Sequence, residues 1–297
     1  MASPLRRLNR ILRRDHPGFE VRSVRVLGEG LDHVAFEVNG SLVVRVAKGR
    51  TTEIPKEARL LGTLGTALAD CIPAVDPEIA GTGYFSYGKL PGVPLQQVID
   101  DLDEAGLPRV EDFLARFLSI LHSWNLDEVR DLVPDDAEPL DRVLEEAAKL
   151  FHRGKHLIPE PFPGRIRSFL LGPAPEDRGF PCLVHNDLGI EHLLFDMETR
   201  SVSGVIDWSD AAAGDPAADF GKICRDLGPN SLRKVLTRYQ PRREVREQLA
   251  ARALFYARCS VFEEIDYGRT AGQERYLSRA LKALDWLFPA EEAPTRS

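Results

Sequence analysis

The sequence predicts an α+β fold in two unequal lobes: a small N-terminal antiparallel sheet with one main helix, and a larger, mostly helical C-terminal part. Three observations predict it. β-rich runs near the start are joined by Asn39-Gly40, the strongest short hairpin signal a sequence offers. Helical spacing dominates after Leu90-Pro91-Gly92. Only short apolar runs between Cys182 and Ile206 interrupt that second part.

In chain order, Leu5, Leu8, Ile11 and Leu12 lie among Arg6, Arg7, Arg10, Arg13 and Arg14, which reads as a surface helix packed by its apolar stripe. Val24–Leu27, Val34–Val38 and Leu42–Val46 have strand character. Residues 53–68 place Glu57, Leu60, Leu61, Leu64 and Leu68 at helical spacing, and Tyr84 to Tyr87 reads as a strand ending at Gly88. The first domain is therefore expected over 1–88 and the second over 89–297. There, helical periodicity over 110–123 and 139–152 is separated by proline-rich loops at 134–139, 159–163 and 173–181. Strands are expected at 182–184, 193–195 and 202–206, and long helices return over 244–288. Residues 289–297 are a polar tail expected to fray.

With 297 residues, 43% of them hydrophobic, the chain can bury a sizeable core. Its net charge of -7 lacks the basic footprint that nucleic acid or an anionic membrane requires, so neither is expected as a partner. Cysteines 71, 182, 224 and 259 form no C-x-x-C pair and read as buried thiols of a reducing, cytoplasmic compartment.

The chemistry concentrates in His185-Asn186-Asp187-Leu188-Gly189-Ile190-Glu191-His192 and, further on, Val205-Ile206-Asp207-Trp208. Asp187 follows a short apolar strand in a glycine-containing loop, where a carboxylate is held and still reaches a ligand. If 193–195 and 204–206 pair with Phe195 opposite Gly204, His192 falls opposite Asp207. Phosphoryl transfer uses such a grouping: one carboxylate takes the proton of the attacking hydroxyl, and metal ligands hold Mg²⁺ on the nucleotide phosphates. A protein-kinase catalytic loop has an Asp followed five residues later by an Asn; Asp187 and His192 have that spacing, with His in place of Asn.

On these residues the sequence resembles the aminoglycoside phosphotransferase family, small-molecule kinases with a bilobal protein-kinase-like fold. The resemblance spans about Val21 to Phe288. It implies Asp187 as catalytic base, Asp207 and His192 at the metal, and Asp215 and Asp219 as structural residues tying a loop to a helix N-terminus. An imidazole is the weaker Mg²⁺ ligand, since Mg²⁺ prefers oxygen; His192 could instead orient Asp187 or a metal-bound water. By position, Gly28 and Gly30 belong to a phosphate-covering loop, Arg45 matches the family's phosphate-binding Lys, and Glu57 its helix partner. Lys48 replaces Arg45 if the register shifts by three. No G-x-x-x-x-G-K-[ST] loop exists in the sequence. Tyr87, Gly88, Lys89 and Leu90 match the hinge that reads the base, and a bulky Tyr87 crowding the deeper adenine pose makes GTP an alternative to ATP.

Glu263, Asp266 and Tyr267, with Glu264 beside them, form an acidic and aromatic helix face suited to an ammonium group. The expected reaction moves the γ-phosphoryl of ATP or GTP, with Mg²⁺, to a hydroxyl of a cationic aminoglycoside-type antibiotic. A macrolide or an endogenous sugar or amino alcohol is the alternative acceptor. A nucleotide-binding module without transfer activity is the alternative from another class, motivated by Arg45 and His192 standing where Lys and Asn are commoner.

Overall fold

A computed structural model describes residues 4–29, 33–48, 53–175, 180–240 and 246–290. The chain divides into two compact units: residues 1–102, 127–133 and 191–210 form the first, and 103–126, 134–190 and 211–297 the second.

In the first unit, helix α1 (Pro4–Asp15) buries Leu8, Ile11 and Leu12 against Val34, Phe36, Val44 and Val46 while Arg6, Arg10, Arg13 and Arg14 are exposed. The five-stranded sheet runs β1-β2-β3-β5-β4, from β1 (Val24–Glu29), β2 (His33–Val38), β3 (Leu42–Ala47), β4 (Val75–Gly81) and β5 (Tyr84–Gly88). Asn39 and Gly40 take φ of 55° and 78°, the two left-handed residues a tight hairpin requires. The Asn39 side chain also accepts the N–H groups of Arg22 and Ser23 and donates to the Glu20 carbonyl. β2 alternates buried and half-buried residues, whereas β3, the central strand of the five, is buried along nearly its whole length. Helix α2 (Glu53–Leu68) buries Glu57, Leu60, Leu61, Leu64 and Leu68, as its spacing predicts.

A small second sheet in this unit joins β6 (Val93–Pro94), β8 (Leu193–Asp196) and β9 (Ser201–Val205). Its register corrects the expected pairing by one residue. Leu194, not Phe195, faces Gly204, and an irregularity after Leu194 puts Phe195 against Val202. A bulge inserts an extra residue into one strand, and in strands of four and five residues the alternation is too short for the sequence to show it.

In the second unit, α3 (Gly106–Leu121), α4 (Leu140–Gly154), α5 (Phe162–Leu170), α6 (Ala217–Arg238), α7 (Arg246–Thr270) and α8 (Glu274–Leu287) surround a short ladder of β7 (Cys182–Val184) with β10 (Ala212–Gly214). Part of the segment read as a proline loop begins α5, with Pro163 in the first turn, where its missing N–H costs nothing. α6 breaks at Gly228 (φ 82°) just before Pro229, and the Cys224 carbonyl near the break accepts a 3.0 Å hydrogen bond from the Trp286 indole. Gly221 lets α6 approach α7 closely, since a Cβ there would lie 2.6 Å from Tyr256 Cβ. Cys182, Cys224 and Cys259 are buried free thiols; Cys71 is a half-buried one. Among the described residues, no helix is long and apolar enough to cross a membrane.

Candidate active site

The polar centre of the first unit is built on Arg45, which β3 carries into the sheet's interior at 3% exposure. Nη1 donates to Glu57 Oε1 at 2.7 Å and Nη2 to Asp207 Oδ1 at 3.0 Å, and Nη2 also touches the ring nitrogens of His33. One planar guanidinium thus spans two carboxylates, a task suited to its fixed fork. Lys48, the alternative cation, pairs instead with Glu29 at 2.8 Å. Burial pushes the Glu57 carboxyl up to about 7 against the pull of Arg45, and the Asp207 charge pushes the same way.

Asp207 follows β9 with φ of 64°, a left-handed conformation that Asp tolerates better than most residues. Its Oδ1 accepts from Arg45 and from the Ser209 hydroxyl at 3.0 Å; Oδ2 lies 3.8 Å from His192 Nε2. Burial works to raise this carboxyl, but Arg45, His192 and His33 outweigh it and hold Asp207 below the usual carboxylate range. The corrected register pairs the His192 carbonyl with the Ile206 N–H, at 3.0 Å, and still leaves the imidazole facing Asp207. His33 and Ser209 carried no role in the sequence reading: a single His at a strand start and a Ser two residues past an Asp have no distinguishing spacing.

A cavity of about 330 Å³ opens in the same unit between Leu27, Val43, Tyr87, Leu90, Leu194 and Ile206. Its walls are apolar, as the faces of a nucleobase require. Tyr87 is nearly buried, and burial pushes its hydroxyl up to about 12. The Lys89 N–H is committed to the Ser41 carbonyl at 2.7 Å, continuing the β3–β5 ladder past Gly88. At the rim, Glu37 receives Arg25 at 2.9 Å and Lys89 at 2.7 Å, and these hydrogen bonds pull its carboxyl down to about 2. Gly28 lies on β1 beside an irregular step in the β1–β2 register, with open space where a Cβ would be. Gly30 lies outside the described residues.

In the second unit β7 is fully buried, and the loop that leaves it is pinned at both ends. The His185 and Asn186 N–H groups donate to the two oxygens of Asp219, at 3.0 and 2.8 Å, and the Ile190 N–H donates to Asp226 at 3.1 Å. Asn186 has φ of 67°. Asp219, in the first turn of α6, also meets His122 Nε2 at 3.1 Å, and His122 Nδ1 meets the Tyr239 hydroxyl at 3.0 Å. Asp215 accepts the Ala217 N–H and pairs with buried Arg252 at 2.9 Å.

Between these pins, Asp187 Oδ1 lies 3.3 Å from Lys222 Nζ, whose other neighbour is Glu263 Oε2 at 3.5 Å. Burial acts to lower Lys222, but Glu263 and then Asp187 outweigh it and keep the ammonium charged. Of the remaining α7 residues, Glu264 binds the buried Arg225 at 2.8 Å, and Asp266 binds Arg269 at 2.6 Å with Arg153 at 3.7 Å. Tyr267 is 48% exposed and packs edge-on to Tyr276. The acidic face is therefore largely neutralised from within, leaving Glu263, 55% exposed, and Tyr267 outermost.

Residues 23–255 match the phosphotransferase enzyme family known as APH. The fold is kinase-like, and the chain belongs to that family. A solved structure of aminoglycoside 2'-phosphotransferase-IIIa with GDP superposes with a TM-score of 0.72 at 23% identity, covering 96% of this chain and 98% of that one. The macrolide 2'-phosphotransferase type I structure gives a TM-score of 0.62 at 22% identity, covering 96% and 97%. Among curated sequences, the uncharacterized protein YcbJ of Bacillus subtilis (strain 168) is 38% identical over 61 residues, a stretch spanning 20% of each chain.

Proposed function

We propose that this chain transfers the γ-phosphoryl of ATP or GTP to a hydroxyl of a cationic, aminoglycoside-type small molecule. The observation that carries this reading is Asp187: a carboxylate on a loop whose backbone is pinned on both sides by Asp219 and Asp226, with one oxygen paired and the group still part-exposed. Residues 1–88 would serve the nucleotide and 89–297 the acceptor and the chemistry.

In the reaction, the acceptor hydroxyl oxygen forms a bond to the γ-phosphorus, and its proton passes to Asp187. The bond from the γ-phosphorus to the β,γ-bridging oxygen breaks, and the electron pair leaves on the nucleoside diphosphate. The base lies in the cavity beside Tyr87, read by the backbone at Gly88 and Leu90, with Lys89 and Gly28 at its edge. Arg45, oriented by Glu57, grips phosphate oxygens. A Mg²⁺ ion fits the donor set at Asp207, whose Oδ2 carries no cation of the protein within hydrogen-bond distance among the contacts described; His192 is the weaker, nitrogen ligand. When bound, the ion neutralises charge on the phosphates. Glu263 and Tyr267 meet an acceptor ammonium, with Glu264 and Asp266 behind them.

The test is incubation with Mg²⁺ and γ-labelled ATP or GTP across aminoglycosides, macrolides and small sugars. Labelled aminoglycoside supports the reading; label on a macrolide or sugar alone replaces the acceptor. Retained nucleotide binding with no labelled product on any acceptor refutes transfer.

A further inference from the structure

We infer that Lys222 is a positioning residue for Asp187, an internal cation that aims the carboxylate. The inference rests on the proposed role of Asp187 as proton acceptor.

Asp187 is fixed at two levels by one helix end. Its backbone is held by Asp219 through the neighbouring His185 and Asn186 N–H groups, and its own carbonyl accepts the Gly189 N–H at 2.9 Å. Those bonds set where the side chain starts. Lys222 lies three residues after Asp219, on the same face of α6. Its ammonium meets one oxygen of Asp187, at 3.3 Å, and its other partner, Glu263 on α7, draws it from the far side at 3.5 Å. Lysine ordinarily keeps its ammonium in water; this side chain is 13% exposed.

Arg225, one turn along α6, is committed to Asp226 at 2.6 Å and Glu264 at 2.8 Å. Lys222 meets Asp187 from within the same unit. An ammonium has no acceptor lone pair, so Lys222 does not take the acceptor's proton. It holds Oδ1 and so orients the carboxylate toward the incoming hydroxyl. It also half-satisfies Glu263, the carboxylate proposed to meet the acceptor's ammonium.

A positioning role makes a split prediction. In Lys222→Met, kcat should fall about 10²-fold, the loss expected when a reacting group is misplaced by an ångström, with nucleotide KM unchanged. The acceptor KM should hold or decrease, because Glu263 is released toward the substrate. Lys222→Arg, which keeps the charge, should recover most of the lost turnover. Turnover is expressed per nucleotide-binding site, so misfolded protein does not count. If Lys222→Met folds poorly, Lys222→Gln carries the same expectations. Unaltered kcat per binding site in Met and Gln variants, or an Arg variant as slow as Met, overturns the inference. Asp187→Asn separates the two readings. Full turnover in that variant removes the base assignment itself, whereas an inactive Asp187→Asn beside fully active Lys222 variants removes the lysine's role alone.

Discussion

Each unit of the molecule sets a cation between two carboxylates; one cation is buried and the other part-buried, and the two are built differently. Arg45 reaches Glu57 and Asp207 at 2.7 and 3.0 Å through the rigid fork of one guanidinium. Lys222 lies 3.3 and 3.5 Å from Asp187 and Glu263, a point charge on a flexible stem. The fork fixes two carboxylates relative to one another, as a phosphate grip requires. The ammonium, on its flexible stem, holds its two carboxylates less rigidly. The carboxylates differ as well: Glu57 is buried, whereas Asp187 and Glu263 both keep access to water.

The sharpest test of this contrast compares the two aspartates. Asp187→Asn keeps the shape and removes the proton acceptor, so turnover should fall about 10²- to 10⁴-fold while nucleotide affinity, measured by calorimetry, stays near the parent value. Asp207→Asn removes charge from the phosphate side and should weaken Mg²⁺-nucleotide binding in the same assay. An Asp187 variant that lost nucleotide binding instead would break the division of labour.

Next in size is stability. Arg45→Met leaves Glu57 buried without its cation, which should cost about 3–5 kcal/mol in urea unfolding. Lys222→Met should cost distinctly less, because water can solvate the two carboxylates it leaves. Equal losses would mean that both lysine and arginine are structural.

What the sequence disclosed follows the same physics. Asn39-Gly40 was legible because a two-residue turn with both φ positive admits few residue types. Asp187 stood out through its spacing within a motif; Arg45 and Glu57 were matched by position in the family resemblance, and the structure joins those two side chains at 2.7 Å. Lys222 was not legible. α6 buries Ala218, Phe220, Gly221, Ile223 and Cys224 around it, so no apolar stripe marks which side Lys222 takes, and the Gly228-Pro229 break interrupts the helical period. β4 hid behind Pro77 and an irregular register against β5. Glu264 and Asp266 shared the expected acidic face; Asp266's nearer partner Arg269 lies three residues on in the same helix, but Glu264's partner Arg225 comes from another helix and cannot be read from the face itself.

At the cavity, Tyr87 offers a smaller test of how the first unit selects its nucleotide. Tyr87→Ala should deepen the 330 Å³ space and shift the ATP-to-GTP ratio of kcat/KM toward ATP by about tenfold. An unchanged ratio would make Tyr87 a plain core residue.

The smallest effect lies at the rim of the same cavity. Glu37 is ordinarily a group of pKa 4.5, drawn down to about 2 in the folded chain by Arg25 and Lys89. A depressed folded value means that its stabilising contribution is present above pH 4.5 and is lost as pH falls toward 2. Comparing the parent with Glu37→Gln by urea unfolding, the parent's advantage should be full at neutral pH, shrink through that window, and diminish with added salt because the arginine partner is exposed. Arg45 and Glu57, being buried, should show little of that salt dependence. A Glu37 advantage constant with pH and salt would mean that this exposed cluster contributes through packing and not through charge.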